Sequence, residues 1–450
     1  MRPNRIACAF FAAMFFLTNH VHAASAQASP FDITCRANTS VDASLIGVTS
    51  GVLVVEDGSG NEIYGFDEQN CGGLWSSRLD PLAVINTDLV GGVVVVQTLD
   101  TSNMSTGSDF DDFYSSPGYL IGLDAKTGRE LWRSSTTTGY ASWLTSIDDT
   151  IVVDGQAKLE AFDLRTGLLI WAAEPSPTTS FWFRSAVSHG LYVRWETTDE
   201  ATSDEAKIVA RDLHSGRVTW SIGATLALGS DLTYIPAADG FLLPSAEGTG
   251  PSMKMSLRLV GPDGRVHWEA HVAGGFHPVS DQRAVYFVED ENHESRIGSA
   301  LIAQSIDDGS ELWRSPALSE SFTISVGSDQ VTTWRYGDNL LPPTITSYDT
   351  RSGRLMWSYT LPSDPRSLTP TATFASEIVS VRSDSSITIL DLRTGREIWQ
   401  RSFPEFDSDD MVVLANNGWC LELEKNPVIL EADYLFIASC RGVIARIDFR

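Results

Sequence analysis

The feature that most constrains this chain is a nine-residue frame with Asp first, Gly fifth and Trp last. The clearest copy, residues 124–132, reads Asp-Ala-Lys-Thr-Gly-Arg-Glu-Leu-Trp, with Asp124, Gly128 and Trp132 at the fixed positions. Four further copies keep the same spacing: Asp163, Gly167 and Trp171; Asp212, Gly216 and Trp220; Asp349, Gly353 and Trp357; Asp391, Gly395 and Trp399. Recurrence at this interval is typical of a repeat protein.

Three other copies are degenerate but keep the Trp. The first has Cys71 at the Gly position between Asp67 and Trp75. In the other two, Val260 and Ser305 replace the Asp, ahead of Trp268 and Trp313 respectively. The chain therefore has eight frame Trp residues, separated by 39 to 57 residues.

The frame predicts a tight hairpin turn. An Asp side chain accepts hydrogen bonds from the backbone N–H groups that follow it, and Gly adopts the left-handed conformation without strain. An alternating strand such as residues 386–390 precedes the turn, and a short strand carrying the Trp follows it. A second hairpin lies upstream, as at residues 142–153. Four short antiparallel strands in about 45 residues make one propeller blade. The sequence therefore predicts an all-β chain: an eight-bladed β-propeller of four-stranded antiparallel blades, with almost no helix.

The frame Trp is predicted to pack between blades. The residue two before the frame Asp is small in five copies, namely Gly65, Gly122, Ala161, Ala210 and Ser347. A small residue there leaves room for an indole ring, and one Trp per repeat is a packing signature. Ligand binding by these Trp residues is the alternative.

The chain ends are less regular. Residues 433–439 and 443–448 resemble the second and third strands of another blade, but no Trp strand follows. We expect the chain ends to close the ring, with residues 31–36 as the candidate closing strand. The eight full copies predict eight blades, and the C-terminal fragment makes nine blades the alternative.

The N-terminus predicts export. Arg2 and Arg5 precede an apolar run at residues 6–17, and small residues follow near Ala23 and Ala26. This pattern is typical of a signal peptide at residues 1–23, cleaved near 23 or 26. The run is too short for a membrane span. Residues 30–450 then form a single propeller domain in the periplasm or outside the cell.

Export leaves Cys35, Cys71, Cys420 and Cys440. Four cysteines in an oxidising compartment predict two disulfides, with three possible connectivities. We favour Cys35–Cys71 and Cys420–Cys440 because each pair is close in sequence, and a pairing between the two chain ends is the alternative.

The charge excludes one class of partner. The formal net charge is −26, from 58 acidic and 32 basic residues. Proteins that bind nucleic acid contact its phosphates with Lys and Arg, so no nucleic-acid partner is expected. The acidity is best interpreted as charge that keeps the protein soluble.

The frame resembles the repeat of the pyrroloquinoline-quinone-type (PQQ-like, quinoprotein-like) propellers over residues 44–450. That family contains quinoprotein dehydrogenases and non-enzymatic proteins such as the propeller subunit of the outer-membrane β-barrel assembly machinery. Quinoprotein alcohol dehydrogenases resemble one another in an adjacent Cys-Cys pair, which this chain lacks. We therefore expect no cofactor and a monomeric, non-enzymatic scaffold that binds envelope or extracellular proteins. The alternatives are a dehydrogenase using PQQ and Ca²⁺ to oxidise alcohols or sugars, and a carbohydrate-binding propeller.

Other candidate sites are weaker. The acidic segment at residues 101–117 is either a Ca²⁺ loop or a solvated loop. Trp143, Trp182, Trp195, Trp334 and Trp419 lie outside the frame and belong to strand cores or to a binding rim. His267 and His271 are interpreted as structural, because the sequence shows no third metal ligand near them. No catalytic residue is predicted.

Overall fold

The computed structural model describes residues 31–449 with gaps, the longest at 101–117, 175–184, 198–205, 225–231, 248–253, 290–296, 336–341, 362–370 and 403–427. The described part contains 37 β-strands and a single 3₁₀ turn, Pro236–Ala238. The prediction of an almost purely β chain is confirmed. In the part of the chain that the structure describes, no helix is long and apolar enough to cross a bilayer.

The first strand, β1 (Phe31–Asn38), belongs to a sheet made from both chain ends, and the following strands form blades in chain order. The first four blades have these strands: blade 1, β2 (Ala43–Thr49), β3 (Val52–Asp57), β4 (Glu62–Asp67) and β5 (Gly73–Arg78); blade 2, β6 (Leu82–Val90), β7 (Val93–Asp100), β8 (Gly118–Asp124) and β9 (Glu130–Thr136); blade 3, β10 (Ala141–Ile147), β11 (Thr150–Gly155), β12 (Leu159–Asp163) and β13 (Leu169–Ala173); blade 4, β14 (Ala186–Ser188), β15 (Leu191–Thr197), β16 (Ala206–Asp212) and β17 (Val218–Ala224).

The next four blades repeat the pattern, and blade 6 has an additional short strand, β26, that pairs with β24. Their strands are as follows: blade 5, β18 (Thr233–Ile235), β19 (Gly240–Glu247), β20 (Lys254–Val260) and β21 (Val266–Val272); blade 6, β22 (Phe276–Ser280), β23 (Ala284–Glu289), β24 (Ile297–Ser305), β25 (Glu311–Arg314) and β26 (Leu318–Ser319); blade 7, β27 (Thr323–Val326), β28 (Gln330–Arg335), β29 (Thr344–Asp349) and β30 (Leu355–Thr360); blade 8, β31 (Thr371–Phe374), β32 (Ile378–Ser383), β33 (Ser386–Asp391) and β34 (Glu397–Ser402).

The closing sheet joins the two ends of the chain. It has the order β35 (Val428–Leu430), β36 (Tyr434–Ala438), β37 (Val443–Phe449) and β1. β1 runs antiparallel to β37, from Phe31 opposite Phe449 to Asn38 opposite Val443. The Arg446 guanidinium donates a 2.8 Å hydrogen bond to the Glu68 carbonyl of blade 1. The two chain ends therefore form one sheet, and its contact with blade 1 is consistent with the expectation that the chain ends close the ring.

The described residues therefore contain nine antiparallel sheets, eight with four strands and one with five. Eight of them carry a frame Trp, as the eight copies predict. The C-terminal fragment, which made nine blades the alternative to eight, forms the remaining sheet. It does so because β1 supplies the fourth strand that the chain end lacks.

Within each blade, the strands are ordered from the first strand to the fourth across the sheet. First strands of neighbouring blades contact one another, as β2 contacts β6, and β6 contacts β10. Second strands are the most buried, and every residue of β11 is buried. Apolar clusters fill the space between consecutive blades, for example Val95 and Leu120 of blade 2 against Val153 and Phe162 of blade 3. Fourth strands form the outer edge of each sheet.

The frame turn has the predicted geometry. Asp163 Oδ1 accepts hydrogen bonds from the Thr166 backbone N–H at 2.8 Å and from its hydroxyl at 2.7 Å. The Gly167 N–H donates to the Asp163 carbonyl at 2.8 Å, with Gly167 at φ +68°. The degenerate copy achieves the same turn without glycine, because Cys71 itself takes φ +54° and donates to the Asp67 carbonyl at 2.9 Å.

Cys71 is buried and disulfide-bonded. The backbone of Cys35 lies opposite Arg446, whose side chain contacts Glu68, three residues before Cys71. This placement supports the pairing of Cys35 with Cys71, which stays a prediction. Cys420 and Cys440 lie outside the described residues.

In the described residues, seven of the eight frame Trp residues join their blade to the next. The Trp132 indole N–H donates a 2.8 Å hydrogen bond to the Leu164 carbonyl of blade 3. Its ring lies against Gly122 of its own blade and against Gly167 of the next, where an added Cβ would lie 2.5 Å from Trp132 Cε3. Seven junctions share the indole hydrogen bond: Trp75–Ala125, Trp132–Leu164, Trp171–Leu213, Trp220–Pro262, Trp268–Ile306, Trp313–Thr350 and Trp357–Leu392.

Alanine substitutions at two glycines distinguish the free energy of backbone strain from the free energy of the contact with the indole. Gly167 and Gly190 have φ of +68° and +67°, but a Cβ on Gly190 meets nothing within 4 Å. We expect Gly190→Ala to cost about 1–2 kcal/mol from left-handed strain. Gly167→Ala adds about 1–3 kcal/mol because the methyl group overlaps Trp132. Thermal unfolding of the two variants measures the difference, and equal midpoints would show that the contact between blades contributes nothing.

Acid should weaken the frame turns. The Thr166 hydroxyl hydrogen bond, followed by backbone hydrogen bonds, lowers the pKa of Asp163 below its ordinary value. A carboxylate with a lowered folded pKa stabilises the fold above its unfolded pKa of about 3.9, and that contribution disappears as the pH falls through the folded pKa. Asn keeps the turn geometry without the charge. The difference in unfolding midpoint between wild type and Asp163→Asn should therefore be present at about pH 7 and shrink below about pH 4. A difference that is constant with pH would contradict this.

Candidate functional site

The most unusual polar group in the described residues is an ionic cluster between blades 3 and 4, formed by Asp154, Tyr192, Arg194, Glu196 and Arg211. Asp154 lies on β11 and faces Tyr192 and Arg194 on β15. The Tyr192 hydroxyl donates a 2.6 Å hydrogen bond to Asp154 Oδ2, and the Arg194 guanidinium donates to Asp154 Oδ1. Arg194 also donates to the Trp195 carbonyl at 3.1 Å.

A second ion pair extends the cluster. Arg211 donates to Glu196 Oε1 through Nη2 at 2.8 Å and through Nε at 3.2 Å. Arg211 Nη1 also donates to the Gly216 carbonyl at 3.2 Å, so the cluster reaches the frame turn of blade 4.

Burial shifts the pKa of two groups in the cluster. It raises the pKa of Asp154 even though Arg194 and Tyr192 favour the ionised form. It also raises the pKa of Tyr192 well above its ordinary value. Shifted pKa values are common at catalytic sites, but structural ion pairs show them too.

The solvent exposure of the cluster decides between a catalytic site and a structural ion pair. Tyr192 is fully buried, Arg194 is 3% exposed and Asp154 is 7% exposed. The carboxylate contacts Arg194 and Tyr192, which both belong to the next blade. The cluster therefore positions blade 4 on blade 3, and its arrangement favours structure over chemistry on a substrate.

The off-frame Trp residues divide into three groups. Trp195 and Trp334 are 2% and 1% exposed on the second strands of blades 4 and 7. They lie in the strand core, so a binding rim does not include them. Trp143 lies on β10, paired with Asp154. Trp182, Trp419 and the acidic segment at residues 101–117 lie outside the described residues.

The histidines bring no further ligands together. His267 and His271 are both exposed on β21. Within the described residues, no group of three or more His, Cys, Asp or Glu side chains is placed to hold a metal ion.

An apolar surface lies on the fourth strands, at the outer edge of the blades. We call the three residues between the frame Gly, or Cys71, and the frame Trp the edge tripeptide. Every large apolar side chain that is exposed in the described residues belongs to an edge tripeptide. These side chains are Leu74, Leu131, Leu168, Leu169, Ile170, Val218, Val266, Leu312, Leu355, Met356 and Ile398.

Sequence reasoning missed this surface. The Asp, Gly and Trp of the frame predict the turn and the packing, but they predict nothing about the three residues between Gly and Trp. The signal was present, because a residue next to a buried strand Trp points to the opposite face. Aligning the eight copies would have shown apolar residues at these positions.

The ionic cluster gives a testable energy. Arg194→Met leaves the Asp154 carboxylate buried beside an apolar side chain, so we expect it to cost about 3–5 kcal/mol of unfolding free energy. Adding Asp154→Asn removes the orphaned charge while keeping an acceptor for Tyr192. The double variant should therefore be more stable than Arg194→Met alone, measured by urea unfolding at neutral pH. A double variant less stable than either single variant would contradict this account.

Comparison with known structures supports the fold. A eukaryotic initiation factor structure matches with a TM-score of 0.56 at 10% identity, over 81% of this chain and 88% of that chain. The computationally designed Ika8 protein matches with a TM-score of 0.51 at 10% identity, over 93% and 99%. BamB from Moraxella catarrhalis matches with a TM-score of 0.47 at 15% identity, over 92% and 100%. No curated protein sequence matches this chain.

The family comparison covers most of the chain. The family model described as outer membrane protein assembly factor BamB matches residues 25–221 and 254–449. These two ranges include all eight frame Trp residues and the strands that close the ring. The chain therefore belongs to this family of PQQ-like repeat propellers.

Proposed function

We propose that this chain is a non-enzymatic scaffold propeller of the periplasm or the extracellular space, which binds other envelope or extracellular proteins through its outer edge. The observation that carries the proposal is the confinement of exposed apolar side chains to the edge tripeptides. Apolar side chains held in water around a rigid ring are typical of surfaces that bind proteins. The name of the matching family, an outer membrane protein assembly factor, points in the same direction.

The rest of the molecule supports this use. The frame Trp residues join neighbouring blades through their indole hydrogen bonds, so we assign them to packing and not to a ligand. The ionic cluster holds blade 4 on blade 3. A rigid ring presents its edge without reorganising, which lowers the entropic cost of binding. We propose that the scaffold is a monomer formed by residues 30–450, that it follows a cleaved signal peptide, and that it needs no cofactor.

The quinoprotein dehydrogenase is the competing function, since the frame occurs in both branches of the PQQ-like repeat. It requires PQQ and Ca²⁺, and the chain has no adjacent Cys-Cys pair of the kind seen in quinoprotein alcohol dehydrogenases. Carbohydrate binding would require exposed aromatic rings, and the buried rings of Trp195 and Trp334 do not provide them.

Site-specific photo-crosslinking tests the scaffold. A photoreactive amino acid replaces Leu131 or Leu312, which are 40% and 42% exposed at the edge. Matched controls carry it at Lys126 or Asp308, which are exposed in the frame turns of the same blades. In cells that export the chain, we expect discrete protein adducts from the edge positions and none from the turns.

A second measurement addresses the enzyme. Purified chain is mixed with PQQ and Ca²⁺ and assayed for cofactor absorbance and for dye reduction with alcohols and sugars. We expect neither. Stoichiometric PQQ uptake with dye reduction would overturn the scaffold proposal, as would adducts that are equal at edge and turn positions.

A further inference from the structure

The edge tripeptide of blade 3 differs from all the others. It reads Leu168-Leu169-Ile170, and these side chains are 69%, 52% and 40% exposed. In five other blades the first residue of the tripeptide is Arg: Arg129, Arg217, Arg265, Arg354 and Arg396. Blade 6 has Glu311 at the second position, and blade 1 has Gly72 and Gly73 before Leu74. Blade 3 is therefore the one blade of the eight with three apolar residues there.

This difference falls on an open sheet edge. β13 is the last strand in the order β10-β11-β12-β13, so no strand of the described residues pairs with its outer side. Charged side chains on an edge strand oppose the addition of another strand. The chain is uncharged from Gly167 to Ala173, and its first charge after the strand is Glu174. Blade 3 thus lacks the Arg or Glu that protects the edge of six other blades. Blade 1, whose tripeptide is also uncharged, has Arg78 within its edge strand β5.

The size of the apolar area indicates what binds. A stable interface between two folded proteins involves roughly 20–30 residues a side. Three exposed side chains fall far short of that, so a second folded copy is a poor fit. An extended peptide gains affinity differently, because its backbone hydrogen-bonds to the strand edge while alternate side chains add apolar contact.

The fold itself accepts a strand from a distant part of the chain at the outer position. β1 is the outermost strand of the closing sheet and pairs with β37, from the opposite end of the chain. Pairing at an outer edge thus does not require a connected hairpin in this propeller.

We propose that the outer edge of blade 3, centred on Leu168, Leu169 and Ile170, binds a short, extended, uncharged segment of a partner protein as an additional β-strand. The inference rests on the proposed scaffold function and names the type of segment that one blade recognises.

The chain provides its own matched variants. Leu168→Arg with Leu169→Glu converts the blade 3 tripeptide into Arg-Glu-Ile, which is the sequence of blade 8 at Arg396, Glu397 and Ile398. The reciprocal variant, Arg396→Leu with Glu397→Leu, gives blade 8 the sequence of blade 3. All of these side chains are exposed, and Glu397→Leu removes one surface hydrogen bond, which Glu397 accepts from the Tyr359 hydroxyl at 3.3 Å. Thermal unfolding should therefore change little in both variants.

The probe is a dye-labelled peptide of alternating Val and Thr with one Lys at each end, and fluorescence anisotropy measures its binding. We expect one site on the wild type, at least a tenfold weaker Kd in the blade 3 variant and a second site in the blade 8 variant. A peptide with alternate backbone amides N-methylated has the same charge but cannot pair fully, and it should bind at least tenfold more weakly. Hydrogen exchange should show peptide-dependent protection in β13.

Three results would overturn the inference: equal peptide binding by wild type and the blade 3 variant, equal binding of the N-methylated peptide, or concentration-dependent dimers of the wild type that the blade 3 variant abolishes. The photo-crosslinking at Leu131 and Leu312 is then repeated in the blade 3 variant. If the adducts persist while peptide binding fails, the scaffold proposal stands and the assignment to blade 3 does not.

Discussion

The whole ring depends on one contact, in which an indole from one blade lies on the frame Gly of the next blade and donates to a backbone carbonyl of that blade's frame turn. A single Trp thereby joins burial, a hydrogen bond and shape complementarity at each described junction between the frame blades. The turn geometry matters because it brings both the Gly and the carbonyl to the ring. Buried Trp N–H groups need an acceptor, and here the next blade supplies it. Since each blade contacts its neighbours in the same way, the ring is a chain of nearly equivalent interfaces.

The repetition of this one contact explains why the fold could be predicted from the sequence. The Asp, Gly and Trp of a frame act within nine residues, so local chemistry determines the turn and the strand that follows it. Even the exception is local: Cys71 adopts the left-handed conformation that Gly adopts elsewhere, at a position held by a disulfide. The closing sheet was harder to count, because its fourth strand comes from the other end of the chain and carries no frame.

The candidate sites were beyond local reasoning. Asp154 and Arg194 are 40 residues apart, and their contact depends on the register between two blades, which no sequence pattern records. The same holds for Trp195 and Trp334, since alternation along a strand identifies two faces but not which neighbour covers each. The edge tripeptides are different in kind. Their positions are fixed within the frame and their apolar character is visible in the sequence, but the packing role of Asp, Gly and Trp does not predict it.

The frame also separates structure from variation. Between Gly and Trp, the three side chains are exposed, and none belongs to the buried core between blades. Glu397 makes a surface contact between blades, since it accepts a 3.3 Å hydrogen bond from the Tyr359 hydroxyl of blade 7. Substitution there is nearly free of structural cost, whereas the Gly, the Trp and the small residue beneath the indole are held by close packing. Most blades use this freedom for Arg or Glu, which keeps an open edge from pairing with other chains. An uncharged apolar edge in a chain of net charge −26 gives up that protection. Because the apolar residues contribute nothing to the core, the proposed addition of a partner strand gives them a physical role at that edge.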